Sequence, residues 1–263
     1  MNYFKLYFTC IKRAMISRLQ YKTDTLIGIL SFLVTNAASI LTLYFIISSI
    51  PSFEGWDMYQ LGFLYGFSML PVALDHLLTD ELWVTAYWKV AAGKLDQFFI
   101  RPVSVLFQIL AENFQPEAFG ELIVGVVMII FCSIGGGISW GVSTVLLVIV
   151  ATVFGAAIIA AVKIIFTSFA LKFKRSGPLL QIVYNFIRYT NYPVAIYPAA
   201  IRALLTFVLP FAVIISYPVE SIIFGGINPY LLMGIIIAAA VILFTLAVMI
   251  WNAFEKHYQS SGS

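Results

Sequence analysis

"WGVSTVLLVIVATVFGAAIIAAVKII", Trp140 to Ile165, is the stretch that decides the fold class. Its only charged residue is Lys163, and it is longer than the roughly 20 residues that a helix needs to cross a bilayer. The whole chain of 263 residues has the same character, since 62% of its residues are hydrophobic and only 10% are charged. A domain with a solvated surface cannot have this composition, so the sequence predicts an integral membrane protein. Continuous apolar runs favour helical spans over the alternating segments of a barrel.

Six apolar runs predict six transmembrane helices in an all-α polytopic fold. The opening stretch is the fourth run, which continues as a helix to about Lys172 and is too long for one untilted span. Pro51 closes the first run, and the glycines at 135–137 end the third. The predicted spans are residues 26–50, 59–78, 103–135, 138–171, 199–217 and 229–251 of one transmembrane domain that covers 1–263.

The basic residues predict that both ends of the chain are cytoplasmic. The predicted outer loops hold Glu54, Asp57 and Glu220 but no Lys or Arg, whereas the inner segments carry nearly all of the positive charge. This asymmetry follows the positive-inside rule. Residues 1–24 combine apolar and basic side chains at helical spacing, which predicts an amphipathic elbow helix on the inner leaflet. Residues 252–263 are then a cytoplasmic tail.

The sequence lacks the motifs of common enzymes. The nucleotide-binding pattern G-x-x-x-x-G-K-[ST] is absent, because Gly93 and Lys94 stand without the preceding glycine and the following hydroxyl. The patterns H-E-x-x-H and G-x-S-x-G are also absent. Cys10 and Cys132 form no C-x-x-C pair and are predicted to pack. We therefore expect no catalytic residue, metal site or cofactor on this chain.

Residues 79–101, "TDELWVTAYWKVAAGKLDQFFIR", are the predicted cytoplasmic loop between the second and third spans. Asp80 and Glu81 suit a helix start, where carboxylates satisfy free amide groups and the positive end of the dipole. An apolar stripe follows at helical spacing, formed by Leu82, Trp83, Ala86, Tyr87 and Val90. The pattern fits either a helix that lies under the lipid head groups or a docking helix for a soluble partner.

Two blocks of this sequence resemble the permeases of the ABC-2 type transporter family, in a subgroup formerly described only as having unknown function. "GKLDQFFIRPV", Gly93 to Val103, is similar to the pattern G-x-L-D-x-x-L-x-R-P-V, with Phe99 where an aliphatic residue is usual. "NYPVAIYPAAIRALLTFVLPFAVIISYPVESI", residues 191–222, resembles a second block that contains three Tyr-Pro pairs, although Ser216 precedes the last pair where an aromatic residue or Asn is more common. Order and separation also match, so the resemblance covers nearly the whole chain.

The resemblance implies a six-span half-transporter with the ABC-2 exporter fold. Two permeases, identical or related, would face each other around a substrate path, and two cytoplasmic ATPases that bind ATP and Mg would drive them. A coupling helix at about Asp80 to Asp96 would enter a groove on the ATPase. The aromatic anchors would be Trp83, Tyr87 and Trp88, while Asp96 and Arg101 would stabilise the loop itself through capping and an ion pair. The complete set of implied coupling residues is Asp80, Glu81, Trp83, Tyr87, Trp88, Gly93, Leu95, Asp96 and Arg101.

Several charges are predicted near the inner ends of the spans. Glu112, Glu117 and Glu121 surround Pro116, and Lys163 is expected at a depth similar to that of Glu112. Pairing would reduce the cost of a charge within a span, which is ~2.5–3.5 kcal/mol on insertion scales. These residues either steer topology from the interface, or Glu121, with Lys163 nearby, faces an inner vestibule that attracts cationic amphiphiles.

Asp75 and His76 end the second span. We interpret them as a helix cap rather than as a proton relay.

The proline-rich block predicts irregular backbone in the fifth span. Pro198 can open a helix, whereas Pro210 at membrane depth should break or kink it. Irregular backbone is tolerated in a membrane where protein covers it or where it lines a cavity. We therefore expect this block at the centre of a permease dimer, with an outer gate formed by Phe207, Pro210, Phe211 and Tyr217.

As a whole, the sequence predicts the permease subunit of an ATP-driven exporter in the inner membrane of a bacterium. The substrate class is broad and comprises amphiphiles, drug-like molecules, peptides and lipids, and the direction of transport follows from family analogy. The expected partners are two ATPase subunits, a second permease and membrane lipids, but not nucleic acid. One alternative is a secondary transporter without an ATPase, which would need buried ionisable residues or broken helices in repeated halves. Another is a structural subunit of a membrane complex.

Overall fold

The computed structural model describes residues 3–20, 22–49 and 55–260, and the regular elements assigned within these ranges are helices. Predictions that involve Ile50, Pro51 or Glu54, or residues 1–2, 21 and 261–263, lie outside the described part of the chain. The α-helices are α1 (Tyr3–Gln20), α2 (Lys22–Ser49), α3 (Met58–Thr79), α4 (Glu81–Val84), α5 (Asp96–Phe99), α6 (Val105–Glu112), α7 (Ala118–Gly135), α8 (Val142–Phe173), α9 (Gly177–Asn185), α10 (Ala199–Ala203), α11 (Phe211–Ile214), α12 (Ser216–Phe224) and α13 (Pro229–Glu255). The chain also forms π-helical turns at Thr85–Lys89 and Leu204–Val208 and 3₁₀-helices at Phe186–Asn191 and Val194–Ile196.

Five helices of the described chain are long and apolar enough to cross a membrane. They are α3, α7, α8 and α13, together with residues Lys22–Thr42 of α2. α3 packs between α7 and α8, α13 lies along α8, and α2 packs against α7. These helices confirm an all-helical, multi-pass membrane protein. The predicted fifth span, 199–217, falls in the segment between α8 and α13 and has no single helix of this length.

Helix α8 contains the stretch that opened the sequence analysis. It is one continuous helix of 32 residues and ends where Lys174 adopts a left-handed conformation with a φ of 67°. At about 1.5 Å per residue, such a helix is longer than the ~30 Å hydrocarbon core. The C-terminal half of α8 packs against α4 and the turn Thr85–Lys89 of the 79–101 loop, and we call this end of the bundle the loop end.

Glycine residues allow α3 and α7 to pack closely. A Cβ atom added at Gly125 would lie 2.9 Å from the carbonyl oxygen of Gly66, and one added at Gly66 would lie 2.7 Å from the Met128 side chain. Small residues are favoured between membrane helices because they let two backbones approach each other. Cys132 is buried beside Gly62 in the same contact, which is the packing role predicted for it.

The range predicted for the third span, 103–135, is not one helix. Ser104 caps α6 by accepting a hydrogen bond from the Phe107 amide at 3.2 Å. α6 then ends at Glu112, and Asn113 has extended backbone with a φ of −129°. Pro116 lies between the two helices and has no amide hydrogen to continue a helical ladder. α7 alone is therefore the membrane-length helix, and α6 packs against α1 and α4 at the loop end.

The range predicted for the fifth span, 199–217, is not one continuous helix, as the prediction of a break at Pro210 implied. The segment between α8 and α13 consists of short pieces, with the expected break beside Pro210 and a further irregular residue at Ile215, whose φ is −123° and ψ −66°. The Ser68 hydroxyl in the middle of α3 donates to the Asn191 side chain at 3.0 Å, and the Phe224 ring lies 4.9 Å from that of Trp56 beside the start of α3. Residues 177–224 therefore extend along α3 from the loop end to the opposite end as a broken segment.

Candidate functional site

The apolar stripe predicted in the 79–101 loop faces two ways. Leu82, Ala86 and Val90 are completely buried. Leu82 and Val90 belong to a cluster with residues of α8 and α13, including the fully buried Trp251. Gly93 makes the following turn with a φ of 67°, a conformation that favours glycine. Leu82, Ala86 and Val90 therefore pack against the protein and are not free to lie under lipid head groups.

A second side of the loop is exposed. Val84, Tyr87 and Trp88 are 40%, 41% and 47% exposed, and we call these three residues the docking patch. Trp83 lies beneath the patch, because its ring stacks on Tyr87 with 6.2 Å between centroids and meets Tyr184 edge-on at 5.2 Å. Of the three predicted anchors, Tyr87 and Trp88 are accessible, and Trp83 supports them from inside. Their contact with an ATPase stays a prediction.

Asp96 contacts the C-terminal tail instead of Arg101, which corrects the predicted ion pair. The Tyr258 hydroxyl donates to the Asp96 carboxylate at 2.9 Å, and the Ser260 hydroxyl donates to it at 2.5 Å. The hydrogen bonds from Ser260 and Tyr258 lower the pKa of Asp96. Arg101 instead lies over the Phe98 ring at 5.7 Å. The tail thus closes the end of the loop that follows Gly93.

A buried ion cluster joins the loop to two long helices. The Lys163 ammonium of α8 lies 2.7 Å from the Asp75 carboxylate of α3 and 2.9 Å from that of Asp80, and the Lys163 and Asp75 side chains are completely buried. Thr79 donates a hydrogen bond to Asp75 at 2.5 Å. We call Asp75, Thr79, Asp80 and Lys163 the Lys163 cluster.

The ion pairs differ from the predicted roles of Asp75 and Glu112. Asp75 is an interior ion-pair partner within α3 and not a helix cap. Glu112, the partner expected for Lys163, instead pairs with Lys89, which also contacts Glu81. The break between α6 and α7 places Glu112 at the end of α6 beside the loop, and that break was not visible in the hydropathy of the chain.

Three further side chains lie next to the Lys163 cluster. His76 Nδ1 is 2.8 Å from the Glu121 carboxylate, and His76 Nε2 is 2.7 Å from the Tyr184 hydroxyl. These contacts connect α3, α7 and α9, and the Lys163 ammonium lies 5.5 Å from the centre of the Tyr184 ring. Sequence reasoning missed Tyr184, because a single tyrosine on a short helix carries no pattern. Glu121 therefore has a partner within the chain.

Glu121 and His76 also line a cavity of about 340 Å³ between α2, α3, α7 and the 177–191 segment, which we call the polar cavity. Although the cavity lies between apolar helices, its wall contains many hydrogen-bonding groups. The Tyr65 hydroxyl donates to Asn36 at 3.4 Å on this wall. Other polar lining residues are Ser39, Ser68, Arg188 and Asn191. The cavity can hold a polar group of a ligand within the apolar bundle.

The residues predicted for an outer gate do not share one environment. Phe207 is 83% exposed, whereas Pro210 is buried and Phe211 is completely buried in the core of its own chain. Tyr217 shares a hydrogen bond with the Thr206 hydroxyl at 2.8 Å. Phe211 is thus a packing residue and cannot line a surface between two chains in this structure. Phe207 remains available for such a surface.

Asp75, His76 and Asp80 bring three possible metal-ligand atoms within 4.8 Å of one another. The Lys163 ammonium already lies between the two carboxylates and neutralises part of their charge. A cation would have to displace this ammonium from a buried position. The donor set is therefore that of an ion-paired cluster and is a poor fit for a metal.

Several apolar helices and a helical loop fixed to them by buried charges define a multi-pass membrane protein with a built-in connection between its loop and its spans. A family model described as ABC-2 family transporter protein matches residues 33–262. The chain therefore belongs to the ABC-2 transporter family and is a permease subunit of an ABC transporter. Permeases of this family are membrane transport components that generally work with ATPase subunits. Neither the curated proteins nor the solved structures gave a match.

Proposed function

We propose that this permease exports amphiphilic molecules from a bacterial cell with energy from two separate ATPase subunits that bind ATP and Mg. The observation that carries the proposal is the docking patch, an exposed aromatic surface on a loop whose other side is fixed to the spans. Aromatic residues at the centre of an interface contribute much of its binding energy. Val84, Tyr87 and Trp88 would enter the ATPase groove.

The Lys163 cluster supplies one route for the movement of the loop. Asp80 precedes α4, and its carboxylate is held by Lys163 of α8, which also holds Asp75 of α3. Separating a buried pair is costly, because each charge would be left without a partner. A displacement of the docking patch would therefore move α3 and α8 together with the loop.

A second route leads to the polar cavity. The Ser176 amide donates to the Ala86 carbonyl at 3.0 Å, and an added Cβ at Gly177 would overlap the Tyr87 ring. The loop thus contacts the start of α9 directly. Since Tyr184 and Arg188 follow on the same segment and line the polar cavity, loop movement would change the cavity.

The polar cavity is the proposed site for the head group of the substrate. Glu121 supplies a carboxylate that favours an amine, while Phe32, Met69 and Val72 supply apolar contacts for the remainder of an amphiphile. Replacing Glu121 by Gln should reduce transport of cationic amphiphiles more than that of neutral ones. Unchanged resistance of cells to every cationic substrate would contradict this role of Glu121.

A second permease is proposed to cover the surface around Phe207. Phe207 and Val208 are 83% and 64% exposed and belong to a π-helical turn that ends in the break at Pro210. Irregular backbone is not stable against lipid, so protein must cover it. A Phe207→Cys variant in a chain lacking the native cysteines should form a disulfide-linked dimer under mild oxidation. A cysteine at Phe173, which is also exposed but lies outside this surface, is the control for nonspecific crosslinking. Crosslinking of Phe207→Cys that does not exceed the control would contradict this arrangement.

The orientation is proposed from charge. Lys89, Lys94 and Arg101 belong to the 79–101 loop, and Lys172 ends α8 beside it. The positive-inside rule places this loop end, and with it both ends of the chain, in the cytoplasm. A reporter fused to the C-terminus should therefore be active only in the cytoplasm.

The function is tested by co-expression with the ABC ATPase encoded nearest to this chain. The wild-type permease should co-purify with the ATPase and stimulate ATP hydrolysis, whereas Tyr87→Ala with Trp88→Ala should lose both activities. Phe173→Ala is the matched control, because Phe173 is 63% exposed at the loop end but lies outside the docking patch. Full stimulation by the double variant would remove the docking patch from the proposal.

One observation favours a second candidate, a secondary transporter. Such proteins use buried ionisable residues and broken helices, and the Lys163 cluster together with the broken 177–224 segment supplies both features. Reconstituted permease without an ATPase separates the two functions. Uptake driven by an imposed pH gradient alone would favour the secondary transporter, and its absence favours the ABC exporter.

A further inference from the structure

A second cavity, of about 480 Å³, lies between α1 and the elements that follow Gly93, and we call it the basic cavity. Cys10 and Arg13 of α1 line one side, and Arg101 with Phe107 of α6 lines the other. It shares no residue with the docking patch or the polar cavity. Its α1 side also precedes residues 33–262, the part of the chain that matches the family. This cavity is thus a separate feature of the molecule.

Among the described residues, the basic cavity is lined by more positive than negative side chains. Across the described ranges 3–20, 22–49 and 55–260, no carboxylate forms an ion pair with Arg13 or Arg101. Glu112 also lines the cavity and shares Lys89 with Glu81, so the two arginines leave an excess of positive charge on the cavity wall. Two guanidinium groups on one cavity are suited to an anion with several oxygen atoms, because arginine binds phosphate through two parallel hydrogen bonds.

The other lining residues point to a ligand that also has an apolar part. Much of the remaining wall is apolar and comprises Leu6, Ala14, Phe98, Val103, Phe107 and Ala111. The cavity adjoins the loop end, where α1 leads into α2 and α6 precedes α7. A site at the end of membrane-length helices is suited to a ligand that has both a polar head group and an acyl chain. Free phosphate would use only the arginines, whereas an anionic phospholipid would use both parts of the wall.

We propose that the basic cavity binds an anionic phospholipid, with the phosphate between Arg13 and Arg101 and an acyl chain along Leu6 and Phe107. Basic side chains near a membrane surface favour anionic lipids. Because Arg101 ends the 79–101 loop and α6 packs against both α1 and α4, a bound lipid connects α1 to the loop. This inference concerns binding alone and does not depend on an ATPase partner or on a transported substrate.

Cys10 is a native probe of this site, because it is partly exposed and lines the cavity. The full-length protein in a non-ionic detergent would be alkylated with a maleimide, and the modification of Cys10 would be followed by peptide mass spectrometry. Parallel samples would contain dihexanoyl phosphatidylglycerol, dihexanoyl phosphatidylcholine or inorganic phosphate. We expect phosphatidylglycerol to slow the alkylation of Cys10 and the other two compounds to leave it unchanged.

Variants assign the protection to the two arginines. Arg13→Gln or Arg101→Gln should each raise the phosphatidylglycerol concentration for half-protection about fivefold, the effect of one basic residue at an anionic surface. Lys12→Gln is the matched control, since Lys12 is exposed on the same helix but does not line the cavity. An equal effect of Lys12→Gln would indicate general surface attraction and overturn the site.

Two other results would also overturn the proposal. Equal protection by phosphatidylcholine would mean that the arginines do not select the ligand, and equal protection by inorganic phosphate would replace the lipid by a free anion. If a variant does not fold, native mass spectrometry of the wild-type protein in a mixture of the two lipids still decides. Retention of phosphatidylglycerol supports the site, and equal retention of both lipids contradicts it.

Discussion

The Lys163 cluster and the docking patch are neighbours in the chain but differ in how their side chains are satisfied. Lys163 is completely buried and has two carboxylate partners, whereas Tyr87 and Trp88 leave nearly half of their surfaces exposed. Asp80 belongs to the cluster and the patch begins only four residues later, at Val84. The difference separates residues that hold the loop in place from residues that remain available to a partner.

The largest expected effect comes from removing the charge at the centre of the cluster. Lys163→Met should destabilise the protein by about 3–5 kcal/mol, because it leaves the buried Asp75 carboxylate without its partner. The measurement is thermal unfolding of the purified protein in detergent. Lys172→Met, an exposed lysine on the same helix, is the control. Adding Asp75→Asn to Lys163→Met should restore much of the loss, and an unchanged melting temperature of Lys163→Met would contradict the ion cluster.

A smaller effect is expected where the loop contacts α9. Gly177→Ala would place a methyl group in the volume of the Tyr87 ring and should cost about 1–3 kcal/mol, the usual range for overpacking. Gly234→Ala is the matched control, because an added Cβ there meets no atom within 4 Å. Thermal unfolding, together with the tryptophan emission of the folded protein, would detect the displaced ring. Equal stability of the two variants would mean that Tyr87 does not pack on Gly177.

The docking patch should be nearly dispensable for folding. Trp88→Ala loses an exposed contact with Lys94, whose ammonium lies 4.2 Å from the ring, and should cost at most about 1 kcal/mol. The same thermal measurement checks this prediction. A loss of stability as large as that of Lys163→Met would show that Trp88 is a structural residue. The docking patch and the Lys163 cluster would then not differ in their contribution to folding.

The smallest effect concerns pH and the C-terminal tail. The hydrogen bonds from Ser260 and Tyr258 lower the pKa of Asp96 in the folded protein. Their stabilisation is therefore complete above the ordinary pKa of an aspartate and is lost as the pH falls through the lower, folded value. Limited proteolysis of the tail should proceed equally at about pH 5 and pH 7, both above the ordinary aspartate range. Faster cleavage at the lower pH would contradict this contact, and Asp96→Asn provides the comparison.

The long apolar helices were predictable from sequence because hydropathy reports burial over about 20 residues at a time. α8 and α13 were placed within a few residues, as was the loop that follows α3. The predicted fifth span began at residue 199 and left out residues 177–191, whose hydropathy is reduced by Gln181, Asn185, Arg188 and Asn191. Arg188 and Asn191 line the polar cavity. The polar side chains that form part of the cavity wall are therefore among those that lower the hydropathy of this segment.

The partners of the charges could not be predicted. Lys163 is 83 residues from Asp80, and Tyr258 is 162 residues from Asp96. Such contacts depend on how helices pack and not on local spacing. The sequence did indicate which residue types would need partners, because a charge in an apolar run must be compensated. It could not indicate that Glu112 would pair with Lys89 after the break at Asn113.

The close contact of Gly66 with Gly125 leads us to expect that α3 and α7 move as one unit. α3 and α7 meet at backbone distance there, so neither helix can slide along the other without a clash. We therefore expect a rearrangement that opens the polar cavity to involve its remaining walls, α2 and the 177–191 segment. We expect the irregular residues Leu209, Pro210 and Ile215 to act as hinges, with α3 and α7 as the stationary frame.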